Sequence, residues 1–352
     1  LGVPVGIGVA RGRTFCGTVG NASRREYTLI GASINLAARL MQEADGEVLC
    51  DEATARAAQD AFGFVALPPR TLKGWEQPIP VFRPRLTGSA APPRPRRDMV
   101  GRRGELARIT AMFDQLTRGG AGGRVLLQGE AGMGKSVLVD AAIAEARRRG
   151  IRVLHGECVG VEQATSYFVW RAVLGELLGH DPADARARLA ARLADDPALA
   201  RLAPLIGEVV PLGLPENEFT GELTGKLRQD NTNDLLVGLL DRTTRAAPAL
   251  IVLDDVHWID AASWALTRMV QTRTDRIVLM LVGRPDDRAW LEEFGRDAAQ
   301  TDVSIHLGGL AEDDVAALAA HHLGAARISR ELLALLTERA AGNPFFTEQL
   351  AC

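Results

Sequence analysis

The chain has 352 residues, 47% of them hydrophobic and 24% charged, with a formal net charge of -3. This composition excludes global disorder and supplies enough apolar surface for two or three domain cores, while the nearly balanced charge gives no overall attraction to nucleic acid or to an anionic membrane. Four cysteines, Cys16, Cys50, Cys158 and Cys352, stand far apart without a C-x-x-C pair, so neither a zinc site nor a disulfide framework is expected and a reducing, cytoplasmic setting follows.

From residue 1 to residue 86 short β-forming runs alternate with one or two helices. "VPVGIGVA" and "FCGTVG" read as strands, and residues 34–43 read as a helix with Ser33 as N-cap. At helical spacing Ile34, Ala37, Ala38 and Met41 form one apolar side and Leu36 and Leu40 nearly the opposite one, with Asn35 and Arg39 between them at i and i+4. Two apolar sides predict one face against the domain's own sheet and another against a partner layer, with the polar pair in the seam. "EVLCDEATARAA" reads as strand then helix, and "RTLKGWEQPIPVFRP" as a closing strand pair. Residues 87–98, rich in Pro, Arg and small side chains, read as a linker.

From residue 99 to residue 352 long helical patterns alternate with fully apolar strands, "RVLLQG", "RVLHG", "ALIVLDD" and "RIVLMLVG". Such runs suit a parallel sheet covered on both faces, a three-layer α/β core. Residues 182–203 read as a helix or helix pair. No apolar run reaches the ~20 residues that span a bilayer, so no membrane partner is expected. No recognition helix or basic stripe stands in this stretch, so nucleic-acid binding is unsupported.

"GEAGMGKS", Gly129 to Ser136, satisfies G-x-x-x-x-G-K-[ST] between a strand and a helix, the context in which that motif is a phosphate loop. Gly129, Gly132 and Gly134 let backbone N–H groups turn to the phosphates, Lys135 supplies a positive point charge, and Ser136 offers a hydroxyl to Mg²⁺. "ALIVLDDVHWID" ends a strand in Asp254, suited to the magnesium water shell, and Asp255, placed to orient an attacking water. His257 reads as a polar residue at the mouth of the site and Trp258 as a packing residue.

"MVGRRGEL" at 99–106, the phosphate loop, "LIVLDDVHWIDAAS", "LMLVGRPDD" and "GNPFF" at 342–346, in that order, resemble the AAA-related STAND class of signal-transducing ATPases. The resemblance implies that Val100 and Gly101 line the adenine end of an ATP pocket, that Arg284 senses the γ-phosphate, and that Pro344 closes on the base or sugar. Where many AAA enzymes carry a longer glutamate this chain has Asp255, which implies slow hydrolysis and a switch rather than a motor.

"GIGVARGRTFCGTVGNASRREYTLIGASINLAARLM" is similar to the second half of class III nucleotidyl cyclase domains, in particular the soluble, bicarbonate-responsive adenylyl cyclases. The fold implied is a partial ferredoxin-like (α+β) cyclase domain at 1–86, followed by the P-loop NTPase domain at 99–352, itself cut at its C-terminus. By this resemblance Asn35 orients the ribose of ATP, Arg39 stabilises phosphate charge, Thr28 reads the adenine and Lys73 lies near the terminal phosphates. The two carboxylates that hold the family's Mg²⁺ or Mn²⁺ pair belong to an earlier stretch and are absent from this chain. A second cyclase domain, in a homodimer or in tandem, is the implied partner. The full-length activity implied is conversion of ATP to cyclic AMP and diphosphate; the alternative is a non-catalytic cyclase-like sensor on an ATP-dependent switch or transcriptional regulator.

Overall fold

Short strands and two helices build the first of two units, Leu1–Arg96, and long helices with apolar strands build the second, Arg97–Cys352. The computed structural model describes residues 5–21, 24–59, 62–75, 77–85, 99–179, 181–285 and 302–351. The expected linker at 87–98 lies outside the described residues.

In the first unit the elements run β1 (Ile7–Val9), β2 (Phe15–Asn21), β3 (Arg24–Ile30), α1 (Ala32–Glu43), β4 (Val48–Asp51), α2 (Glu52–Ala58), β5 (Gly63–Arg70) and β6 (Ile79–Arg85). Four of the strands form a sheet of order β1-β4-β6-β5, and β2 and β3 pair as a separate antiparallel ribbon. Leu40 and Ala44 at the end of α1 meet Leu49, Leu72 and Val81, with Leu36 packed beside them. The Leu36/Leu40 side is therefore the one held against the sheet, while Ile34 and Met41 are exposed. Helix and strand approach so closely that a Cβ on Gly8 would lie 2.0 Å from the Ala37 carbonyl oxygen; only glycine permits that contact.

Two expectations need correction here. Ser33 is not the N-cap: α1 starts at Ala32, after Gly31, with no side-chain cap. Ser33 is instead buried in the first turn, its hydroxyl 2.9 Å from that of Thr14, so it ties the preceding loop to the helix. The closing strand pair also starts earlier than "RTLKGW", because β5 uses residues 63–70 and the turn follows it. The β5–β6 register is irregular between Leu67 and Arg70, where Pro68 and Pro69 have no N–H to donate; β5 is an edge strand, where proline is tolerated.

Helix α2 is capped by Asp51, whose carboxylate accepts from Thr54 N at 3.0 Å. Asp51→Ala is expected to lower the stability of this unit by about 1 kcal/mol, measurable as an earlier midpoint in urea unfolding; an unchanged midpoint would show that the cap is dispensable.

Among the described residues of the second unit the helices are α3 (Arg103–Thr117), α4 (Lys135–Arg148), α5 (Phe168–Leu178), α6 (Pro182–Leu193), α7 (Pro197–Arg201), α8 (Glu218–Glu222), α9 (Gly225–Ala246), α10 (Ala261–Arg273), α11 (Glu312–His322), α12 (Arg330–Ala340) and α13 (Pro344–Leu350). The strands are β7 (Gly123–Gly129), β8 (Arg152–Glu157), β9 (Ala249–Asp254), β10 (Ile277–Gly283) and β11 (Val303–Leu307). All pair in parallel, in the order β11-β7-β10-β9-β8. Val125, Leu127, Leu250, Val252, Val278 and Met280 enter one core with Ile109 and Phe113 of α3 and Leu138 of α4. Their neighbours Leu126, Ile251, Leu253, Leu279 and Leu281 enter another with α5, α9 and α10. Alternate residues buried on opposite faces explain why these strands read as unbroken apolar runs, and the result is a three-layer α/β core.

The stretch 182–203 is a helix pair. Asp196 accepts from Leu199 N and Pro197 opens α7, so the second helix starts afresh. A separate small core of Val315, Ala319, Leu336 and Ala351 unites α11, α12 and α13. Among the described residues no helix is long and apolar enough to cross a membrane.

Candidate functional site

The strand order reverses beside β7, whose neighbours β10 and β11 both follow it late in the chain. Ligands of open α/β sheets bind beyond the C-terminal strand ends at such a switch point. Strand β7 ends at Gly129 and α4 begins at Lys135, so the phosphate loop fills the turn between them. Gly132 and Gly134 adopt φ of +81° and +85°, backbone that residues with a Cβ rarely enter.

Lys135 Nζ donates to the carbonyl oxygens of Gly129 at 2.7 Å and Glu130 at 3.1 Å. Burial holds its pKa below the ordinary lysine value; Asp255 and Asp254 oppose that shift and Arg284 adds to it. Charged groups from the ends of β7, β9 and β10 are thus brought within electrostatic reach of one another, as the sequence motifs require. The Asp254 carboxyl is pushed up, chiefly by burial and further by the negative charge of Asp255, while the Asp255 N–H, 2.9 Å from Asp254 Oδ1, works the other way. Asp255 itself sits at φ +52°, in the left-handed region that aspartate tolerates better than most side chains. His257 is buried with Nδ1 3.7 Å from Asp255 Oδ1, and Trp258 packs over Gly160, where a Cβ would lie 3.3 Å from the indole Cδ2.

A magnesium ion would find fitting donors here. The chemistry of the set is hard oxygen: the Ser136 hydroxyl in the first turn of α4 and the Asp254 carboxylate, whose charged form burial disfavours and a cation would favour. Few protein ligands are needed, because Mg²⁺ keeps several waters when it binds with phosphates.

Next to the loop a small pocket is lined by Met99, Val100, Arg102, Met133, Pro344 and Glu348, among others. Val100 and Pro344, separated by most of the unit's length, meet there. Gly101 does not line it; it faces α11, where a Cβ would lie 2.5 Å from Asp314 Oδ2. Another hollow, of about 250 Å³, opens among Gly122, Arg124, Thr274, Asp275 and Asp302, and holds none of the motif residues.

Sequence reasoning missed several of these side chains. Asn343 is buried and its Nδ2 donates to Ala131 O of the phosphate loop at 3.1 Å. The order Asn-Pro announced a helix start, and Asn343 does cap α13, but no local signal revealed the second bond. Glu157, beside Asp254 in the β8–β9 register, carried no motif at all.

In the first unit Asn35 is exposed and Arg39 half-buried, one turn apart on α1. The Arg39 guanidinium donates to Gln42 Oε1 at 2.8 Å. Thr28 stands in β3 opposite Gly17; its side chain lies outside the described part. Lys73 is exposed in the turn after β5, and among the described residues no hydrogen bond or ion pair joins it to Asn35 or Arg39.

The chain is 25% identical to rat (Rattus norvegicus) adenylate cyclase type 10 over 365 residues, a match that covers 98% of this chain and 22% of that protein. The chain thus spans 22% of the length of this curated relative. Among solved structures it is similar to the adenylyl cyclase CyaB from P. aeruginosa, with 28% identity and a TM-score of 0.21 over 22% of this chain and 40% of that one. It is also similar to Cdc6p from Pyrobaculum aerophilum, with 15% identity and a TM-score of 0.43 over 74% of this chain and 62% of that one. Residues 311–351 match a family described as a domain of unknown function. Residues 98–282, more than half of the chain, match the family described as AAA ATPase domain, and the chain, with its phosphate loop, acidic strand end and parallel sheet, belongs to that family.

Proposed function

We propose that the second unit is a STAND-type, ATP-binding signalling switch, and that the first is the C-terminal part of a class III adenylyl cyclase domain in a larger enzyme. The observation that carries the first half is the convergence of Lys135, Asp254, Asp255 and Arg284 beyond three neighbouring strands, next to the pocket of Val100 and Pro344. In this reading the amides of Gly132 and Gly134 and the Lys135 ammonium hold the phosphates. Ser136 and Asp254 would hold Mg²⁺, whose charge would offset that of the phosphates. Asp255 orients a water and Arg284 reports the γ-phosphate. Aspartate reaches less far than glutamate, so bound ATP persists and its presence is the signal.

What supports the cyclase half is the match to adenylate cyclase type 10 along 98% of the chain, together with Asn35 and Arg39 at one-turn spacing on α1. There Asn35 holds the ribose and Arg39 the phosphates while the 3′-oxygen attacks the α-phosphorus; diphosphate leaves and cyclic AMP forms. By the cyclase resemblance Thr28 is assigned to reading the adenine and Lys73 to the terminal phosphates. A second cyclase domain completes the site, and the carboxylates that would hold Mg²⁺ or Mn²⁺ belong to the earlier stretch of the catalytic domain.

ATP titration of the purified chain by calorimetry tests the switch. Saturable binding that tightens with Mg²⁺ is expected, and Asp254→Asn is expected to remove the Mg²⁺ dependence while leaving metal-free binding intact. The same variant is expected to raise the stability of the protein at neutral pH. Because folding raises the Asp254 pKa, the native state holds that proton more tightly, and stability present below the unfolded value is lost as pH rises through the raised folded value. Asparagine has no such loss. Mg²⁺-enhanced binding that survives in Asp254→Asn would refute the metal assignment.

A further inference from the structure

Asn343 uses both ends of its side-chain amide. Oδ1 accepts from the backbone of Phe345 at 3.0 Å and Phe346 at 3.3 Å, which caps α13. Nδ2 points the other way and donates to Ala131 O in the phosphate loop. A second bond runs alongside, from Phe345 N to Gly132 O at 3.3 Å. Two consecutive carbonyls of the loop are therefore held by donors from the segment that opens α13. A trans peptide sets N–H opposite C=O, so fixing those carbonyls also fixes the direction of the following amides. Contact is close enough that a Cβ on Gly132 would lie 2.7 Å from Asn343 Oδ1 and 3.0 Å from Phe345 Cβ. Asn343 is anchored in turn: its N–H donates to Ala340 O at 2.8 Å, and Leu310 N donates to Gly342 O at 2.7 Å. Helix α13 shares its core with α11 and α12.

We propose that Asn343 is a positioning residue for nucleotide phosphates. It holds the Ala131–Gly132 part of the loop in the phosphate-ready shape, and thereby links the seating of the α11–α13 bundle to nucleotide binding. This proposal rests on reading the crevice as an ATP site. In it, residues 311–351, the stretch that matches a domain of unknown function, report whether the phosphate loop is occupied.

Capping and loop-holding use different atoms, so they can be separated. Asn343→Asp keeps the capping oxygen and loses the donor; Asn343→Ser keeps a capping oxygen, carries no charge and is too short to reach Ala131. Both variants are expected to melt within a few degrees of the unmodified chain yet bind ATP about tenfold more weakly, the effect of one buried hydrogen bond. Hydrogen exchange on the unmodified chain is expected to show ATP slowing the amides of residues 344–350, a protection that both variants lose. If ATP affinity and that protection are unchanged in both variants while the unmodified chain binds ATP, Asn343 is only a helix cap and the proposal is overturned. Failure of the unmodified chain to bind ATP would overturn the ATP-site reading as well, so the two failures are distinguishable.

Discussion

Lys135→Ala is expected to weaken ATP binding by about two orders of magnitude, the effect of losing charge-assisted hydrogen bonds to phosphate oxygens. The ammonium donates to Gly129 O and Glu130 O, so it is already held at the mouth of the loop. Little reorganisation is needed to turn those donors to a phosphate. Burial lowers the lysine pKa, whereas a bound polyphosphate favours the charged form. Affinity should therefore fall as pH rises through the lowered value, and that fall should be missing in Lys135→Ala. Calorimetric titration at several pH values reads both effects. An affinity within threefold of the unmodified chain would sink the phosphate-loop assignment. Lys135→Arg is expected to recover little, because a planar fork does not replace a compact charge in a tight loop.

Arg39→Ala, introduced into a protein that carries the complete pair of cyclase domains, is expected to lower kcat for cyclic AMP formation about 10²–10³-fold, the scale for removing one electrostatic stabiliser. KM should move less, since in the proposed mechanism the guanidinium acts on charge that grows as the 3′-oxygen attacks. The fold should survive. Arg39 bonds to Gln42 on the surface of α1, while the packing of that helix rests on Leu36, Leu40 and Ala44, and alanine favours the helix. Turnover within twofold of the unmodified enzyme, at equal melting temperature, would remove Arg39 from the cyclase mechanism.

Much of the proposed ATP site was legible from spacing. A strand, a glycine-rich turn and a helix in succession identify Gly129–Ser136, and an apolar strand ending in two aspartates identifies Asp254 and Asp255, because each is a contiguous motif with its own local backbone. The Leu36/Leu40 stripe likewise belongs to a single helix. Errors arose where a residue's partner lay elsewhere. Ser33 has the chemistry of an N-cap, yet its hydroxyl is taken by Thr14 and the helix begins before it. Gly101 belongs to the motif that marks the adenine end, yet it faces Asp314 and leaves the pocket wall to Met99, Val100 and Arg102.

Residue identity by itself determined that this chain carries a phosphate loop, an acidic strand end and buried parallel strands, since glycine conformations, apolar periodicity and motif spacing act over a handful of neighbours. Only the tertiary structure decided which distant groups complete the site. Sheet order sets β10 between β7 and β9 and so brings Arg284 toward Lys135. Packing of α13 delivers Asn343 to Ala131 across 212 residues of chain. A hydrogen bond needs its partners within about 3 Å, and whether two residues so far apart in sequence come that close is decided by the packing of whole elements.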